Sequence, residues 1–259
     1  MNGDFGEFRV PGSSGTGLRV LKPGQLAEVL AAHRQWVESE SREGKRADLF
    51  GTDLIEANLS GVNFRGCFLA GINLRGANLA RANLQGANLF GANLCGANLA
   101  RAGLQQANLF VADLREAYLG WARLHDANLA RADLSQVYLG GAGIQRANLR
   151  RANLRGANLG RSNFQGAVLV ETNLENTDLR GDNFEGAQLQ GACFRGADLR
   201  LANLRGANLR DVEGLTPSQL RFARDWELAF YSDLMLEKLS LPYDHNHWVR
   251  GKLGIYPDN

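Results

Sequence analysis

The chain has 259 residues, a formal net charge of +2, and three cysteines. So small a charge gives no broad electrostatic pull toward nucleic acid or an anionic membrane, and no apolar run approaches the roughly 20 residues of a membrane-spanning helix. Cys67, Cys95 and Cys193 form no CxxC motif, which fits small buried thiols in a reducing compartment, and a cytoplasmic protein is expected.

Residues 1–24 read as an irregular N-terminal segment, and the first ten lack the apolar core of a secretion signal. Residues 25–46 are predicted to hold an N-terminal capping helix. The helix itself, Gln25 to Glu43, carries an apolar stripe of Leu26, Val29, Leu30, Trp36 and Val37, and Gly44 is its expected stop.

From Leu49 to Leu209 every fifth residue is Leu, Phe or Ile, through 33 consecutive pentads without a slip of register. The residue two earlier is usually small, as in Ala77, Ala82 and Ala87, and the residue between is mostly Asn or Asp. The two that follow are mostly polar, basic or Gly. A helix has period 3.6 and a plain strand period 2, so neither fits. One short strand and one turn per pentad does fit. The Leu and the small residue then point inward, the Asn points out, and Gly tolerates the turn. A single unit buries nothing alone, so stacking makes the core.

This pattern, as in Ala92-Asn93-Leu94-Cys95-Gly96, closely resembles the pentapeptide-repeat family over residues 47–211. The resemblance implies four pentads per coil. The expected fold is therefore an all-β solenoid, a right-handed quadrilateral β-helix of about eight coils. The ends of such a rod would expose apolar rows and strand edges, so α-helical caps are expected at both. Residues 212–241 supply the second. Thr216-Pro217-Ser218-Gln219 reads as a capping-box start. One helix is predicted from there to about Leu239, with Phe222, Trp226 and Phe230 as cap or dimer contacts. Residues 242–259 read as an irregular tail. Its Asp244-His245-Asn246-His247 cluster lacks a clear third and fourth metal ligand.

Residues twenty apart should stack in columns, and function is expected where a column departs from the scaffold pattern. Phe50, Phe90 and Phe110, with Val111 alongside, predict an exposed apolar ridge suited to a partner. The alternative is an N-terminal segment folded over Phe50 and Phe68. A second departure gathers Tyr118, Trp121, Arg123, His125 and Tyr138, residue types enriched in interface hot spots. Gly103 and Gly143 empty the column on either side of Arg123. Ordinary drift, with Trp121 lying flat and Arg123 stacked on an aromatic ring, is the competing reading. A third is internal: Ser162, Thr172, Thr177 and Asp182 occupy small-residue positions and predict a buried polar girdle. Late arginines, among them Arg195, Arg200, Arg205 and Arg210 around one coil, leave an anion or nucleic-acid site as a minor alternative.

No HExxH, GxSxG, Walker loop or dinucleotide motif is present, so no catalytic, cofactor or metal residue is assigned and no enzyme is expected. The leading expectation is a non-catalytic scaffold that binds an unidentified protein partner, with a homodimer through the C-terminal helix as an option. Membrane binding is not expected and nucleic acid is disfavoured. Some relatives in the resembling family mimic DNA and protect a type II topoisomerase. That alternative needs a strongly negative rod, whereas residues 47–211 hold 17 arginines against 14 acids.

Overall fold

The structure, a computed structural model, describes residues 18–22 and 24–254. Each residue before a core Leu pairs in parallel with the residue twenty later: Asp48 with Phe68, Asn88 with Asn108, Asn128 with Asn148, and on to Cys193 with Glu213. Each side of the coil thus contributes a strand of a single bridged residue. The sides are numbered here by their first core residues: Leu49, Leu54, Leu59 and Phe64.

One pentad shows why the repeat has this composition. The Leu89 N–H donates to the Asn108 carbonyl of the following coil, and the Asn93 N–H to the Ile72 carbonyl of the preceding one. The Gly91 N–H reaches Phe110 O, and the Ala92 N–H closes a turn onto Leu89 O. The Phe90 N–H is taken by the side-chain oxygen of Asn88 at 3.2 Å. All five backbone donors are satisfied, as a rod with so little buried volume per residue requires. The Asn amides then form their own ladder: Asn108 Nδ2 donates to Asn88 Oδ1, Asn128 to Asn108, and Asn148 to Asn128, each at 3.2 Å. Inside, the Leu column and the Ala column are almost entirely buried. Phe164 and Phe184 stack at 5.0 Å within the same core.

Helix α1 spans Gln25–Glu38, five residues shorter than predicted. Leu26, Val29 and Leu30 pack on the core of the first coil. Gly44 does not stop the helix. With φ +74 it presses back on α1, where a Cβ would collide with the Ala32 carbonyl and the Trp36 N–H. Buried His33 joins α1 to the rod: its Nδ1 accepts the Ala47 N–H at 3.3 Å and its Nε2 lies 3.1 Å from Cys67 Sγ. Burial lowers the His33 pKa and pushes the Cys67 thiol up to about 12, so both are neutral. Arg19 adds a bridge to Thr52 at the lower edge of the second side.

Past Leu209 the ladder continues through sequence that has lost the repeat: Arg224 bridges Asn203 and Phe230 bridges Asn208. The single helix predicted from Thr216 to Leu239 is therefore absent. Its capping box forms, but α2 covers only Pro217–Leu220, followed by a 3-10 turn at Trp226–Leu228 and α3 at Asp233–Leu239. The Arg224 and Phe230 N–H groups donate to Ala202 O and Ala207 O of the last regular coil, and a residue whose N–H serves a neighbouring coil cannot also serve a helix. Met235, Leu236 and Leu239 are buried. The tail predicted as irregular instead forms α4, His245–Leu253.

Candidate functional site

The third side changes character at its middle. Its outward positions are Asn58, Asn78 and Asn98, then Tyr118 and Tyr138, then Asn158. The Tyr118 and Tyr138 rings stack with centroids 4.7 Å apart and planes within 1°. They lean over Gly120 and Gly140, where a Cβ would stand 3.0 Å or less from a tyrosine atom. Trp121 lies flat on Gly141, as the drift reading expected, with a would-be Cβ 2.9 Å from its ring, yet it remains 63% exposed. The sequence flagged the aromatics but missed Gly120, Gly140 and Gly141. The signal was available, because each replaces a larger residue beside a ring.

Arg123 is exposed on the fourth side, its guanidinium over Gly103. The column around it is not open as expected: Gln105 folds its side chain onto Gly103 and Gln145 onto Gly143, filling the space left by the missing side chains. Neighbouring His125 is half-buried. Arg81, Arg101 and Arg161, absent from the predicted site, stand in the same corner column as Trp121. Reading that column at twenty-residue steps would have found them. Below Tyr138 the side dips into a hollow of about 410 Å³ lined by Gly160, Arg161, Arg180 and Leu201, among others.

The phenylalanine ridge differs from its expected form. Phe90 and Phe110 stack at 5.9 Å and are half-buried, and Phe50 stacks on Phe68 at 5.8 Å. Phe50 stays exposed, as expected, while Phe90 and Phe110 present only part of each ring to solvent. Val111 beside them holds φ +53, a strained conformation for a β-branched residue. Any cover over Phe50 from residues 1–17 lies outside the described residues.

Ser162, Thr172, Thr177 and Asp182 are all buried. The three hydroxyls donate to Leu139 O, Leu149 O and Leu174 O. Asp182 Oδ1 accepts the Ser162 N–H at 2.8 Å, while Oδ2 has no partner. Burial raises the Asp182 pKa well above the usual carboxylate range, against the pull of that N–H.

At the C-terminus, Phe222 is 65% exposed, so it does not cover the core, while Trp226 packs against it and Phe230 belongs to the ladder. The two histidines of the 244–247 cluster part company. His245 is buried with Nε2 3.2 Å from Ala229 O, and His247 is exposed. Asn246 clamps Tyr231 by accepting its N–H and donating to its carbonyl. Among the described residues no group of three or more His, Cys, Asp or Glu could hold a metal, and no helix is long and apolar enough to cross a membrane.

Comparison with known proteins bears on the scaffold. The pentapeptide-repeat family model matches in eight copies between residues 45 and 213. No curated protein matches. Among solved structures, the chain is similar to HetL, a pentapeptide-repeat protein involved in heterocyst differentiation regulation in the cyanobacterium Nostoc sp. strain PCC 7120. That match has 28% identity and a TM-score of 0.52, and covers 81% of this chain and 94% of HetL. QnrB1, a plasmid-mediated fluoroquinolone resistance protein, matches at 18% identity and a TM-score of 0.40, over 73% of this chain and 95% of its own. The protein alr5209 from Nostoc PCC 7120 matches at 29% and 0.34, over 46% and 82%. With bridges at every twentieth residue and a family match across most of its length, this chain belongs to the pentapeptide-repeat family of right-handed quadrilateral β-helices.

Proposed function

We propose that the protein is a non-catalytic scaffold whose third side, with the adjoining corner, docks a partner protein through Tyr118, Trp121, Arg123, His125 and Tyr138. One observation carries the reading: Trp121 is 63% exposed and held flat on a glycine, in a column that otherwise holds only Gly, Arg and Leu. A rigid, exposed aromatic with arginine beside it is the composition of an interface hot spot. In this reading the rod has about eight coils and is closed at its ends by α1 and by the segment from Thr216 through α4. Exposed Phe222 and Leu234 offer the distal end a contact with a second copy. The free cysteines fit a reducing compartment such as the cytoplasm.

The DNA-mimic alternative needs a continuous acidic face. Instead Asp113, Asp126, Glu171, Asp178 and Asp198 each carry an arginine partner at 2.5–2.8 Å. Affinity capture from the source organism's lysate tests the reading, comparing wild type with a Trp121→Ala, Arg123→Ala, Tyr138→Ala variant of matched circular dichroism. A prey lost from the variant is expected. The same prey on both would remove this side from the mechanism.

A further inference from the structure

The third side carries no acidic residue in any of its six coils from Ala57 to Arg161. The first acids on it, Asp178 and Asp198, are held by Arg180 and Arg200. Along the corner where this side meets the fourth, successive coils present Arg81, Arg101, Trp121, Gly141 and Arg161, and every one of these but the glycine is exposed. Arg123 stands two residues from Trp121. None of these four arginines has an ion-pair partner among the described residues, whereas Arg115, Arg146 and Arg151 each do. Positive charge on this corner is therefore left uncompensated around one exposed aromatic.

We propose that this corner binds an extended acidic segment of a partner protein, a reading that rests on the scaffold function above and names the chemistry of what it holds. Coils stack about 4.8 Å apart, so Arg81 and Arg161 lie about 19 Å apart along the rod. An extended chain rises about 3.3 Å per residue, so about six residues span that distance. Carboxylates at its ends reach Arg81, Arg101 and Arg161, whose planar guanidinium groups match a carboxylate in bidentate fashion. A central apolar or aromatic side chain lies on Trp121. The hollow between Tyr138 and Leu201, whose lining includes Asp178 paired with Arg180, receives an uncharged side chain at the far end. The fit to nucleic acid is poorer. Tyr118 and Tyr138 spend one face of each ring on the other, leaving Trp121 as a single platform where a strand needs successive ones. A longer polyanion would also run onto Asp178 and Asp198.

Random peptides of about twelve residues, displayed on phage, are selected on the immobilised full chain and counter-selected on a Trp121→Ala variant. The expected winners are enriched in Asp and Glu. They lose about tenfold or more in affinity on an Arg81→Glu, Arg101→Glu, Arg161→Glu variant and keep it on an Arg195→Glu control from the second side. All the variants alter exposed side chains, and matched unfolding midpoints establish that they fold. Winners without acidic enrichment, or indifferent to the charge reversal, overturn the acidic segment and leave the scaffold reading standing. Finding no peptide that distinguishes wild type from Trp121→Ala overturns both. If a single-stranded oligo-dT of about twelve nucleotides binds this corner more tightly than the winning peptides, the ligand is nucleic acid and the proposal fails.

Discussion

An asparagine before the core leucine takes the N–H two residues ahead and passes its own amide to the coil before. Tyr118 and Tyr138 give up both services, so Gly120 and Gly140 lose the side-chain acceptor that Ala100 draws from Asn98. Each lost bond costs about 1 kcal/mol, a cost offset in part by stacking of the two rings. Asp182 is the other residue that departs from the pattern at an energetic cost. As pH rises, its carboxyl ionises first in the unfolded chain, because burial raises the folded pKa. The stability it contributes is complete below the ordinary carboxyl value of about 3.9 and is lost as pH climbs toward the folded value. Asp182→Asn keeps an oxygen for the Ser162 N–H and removes that loss. Urea midpoints of the variant and wild type should coincide near pH 3 and separate in the variant's favour by pH 7. Coinciding midpoints at pH 7 would show that the carboxyl is solvated.

Helix α1 depends on a glycine outside its own span. Gly44→Ala places a methyl against the Ala32 carbonyl and forces a side chain into φ +74. A loss of about 2 kcal/mol or more is expected, read as a lower urea midpoint with altered Trp36 fluorescence. The repeat sides were legible because a five-residue period has few physical solutions, and Leu, Ala and Asn each announce their direction. The C-terminal elements were not. Leu220, Phe222 and Trp226 suggest helical spacing, yet the demand that broke the helix comes from the open edge of a coil some twenty residues earlier, which recruits Arg224 and Phe230. The candidate site was half legible. Aromatic substitutions stand out in a row of Asn, but Gln105 and Gln145 folding into the glycine gaps is a rotamer choice that no periodicity encodes.

Across the molecule, contacts repeat at a separation of twenty, so the rod is held together by neighbouring coils and not by distant ones. Any four consecutive pentads close a coil, whichever four they are. Removing residues 162–181, one whole coil, should shorten the rod by about 4.8 Å and leave the aromatic corner in the same direction relative to α4. Removing only residues 167–171, one pentad, should keep Leu, Phe or Ile at every core position but separate Phe164 from Phe184 and Ser162 from Asp182, and turn that corner by a quarter of a revolution about the long axis. Distance measurements between spin labels at Gln106 and Lys252 should separate the two cases. Equal distances in both would contradict the fourfold closure. The square cross-section thus behaves as an indexing mechanism: sequence length sets both reach and bearing, in separate increments. A lineage could re-aim the docking corner at a differently placed partner by gaining or losing five residues, exchanging stacking partners only between the coils that flank the junction.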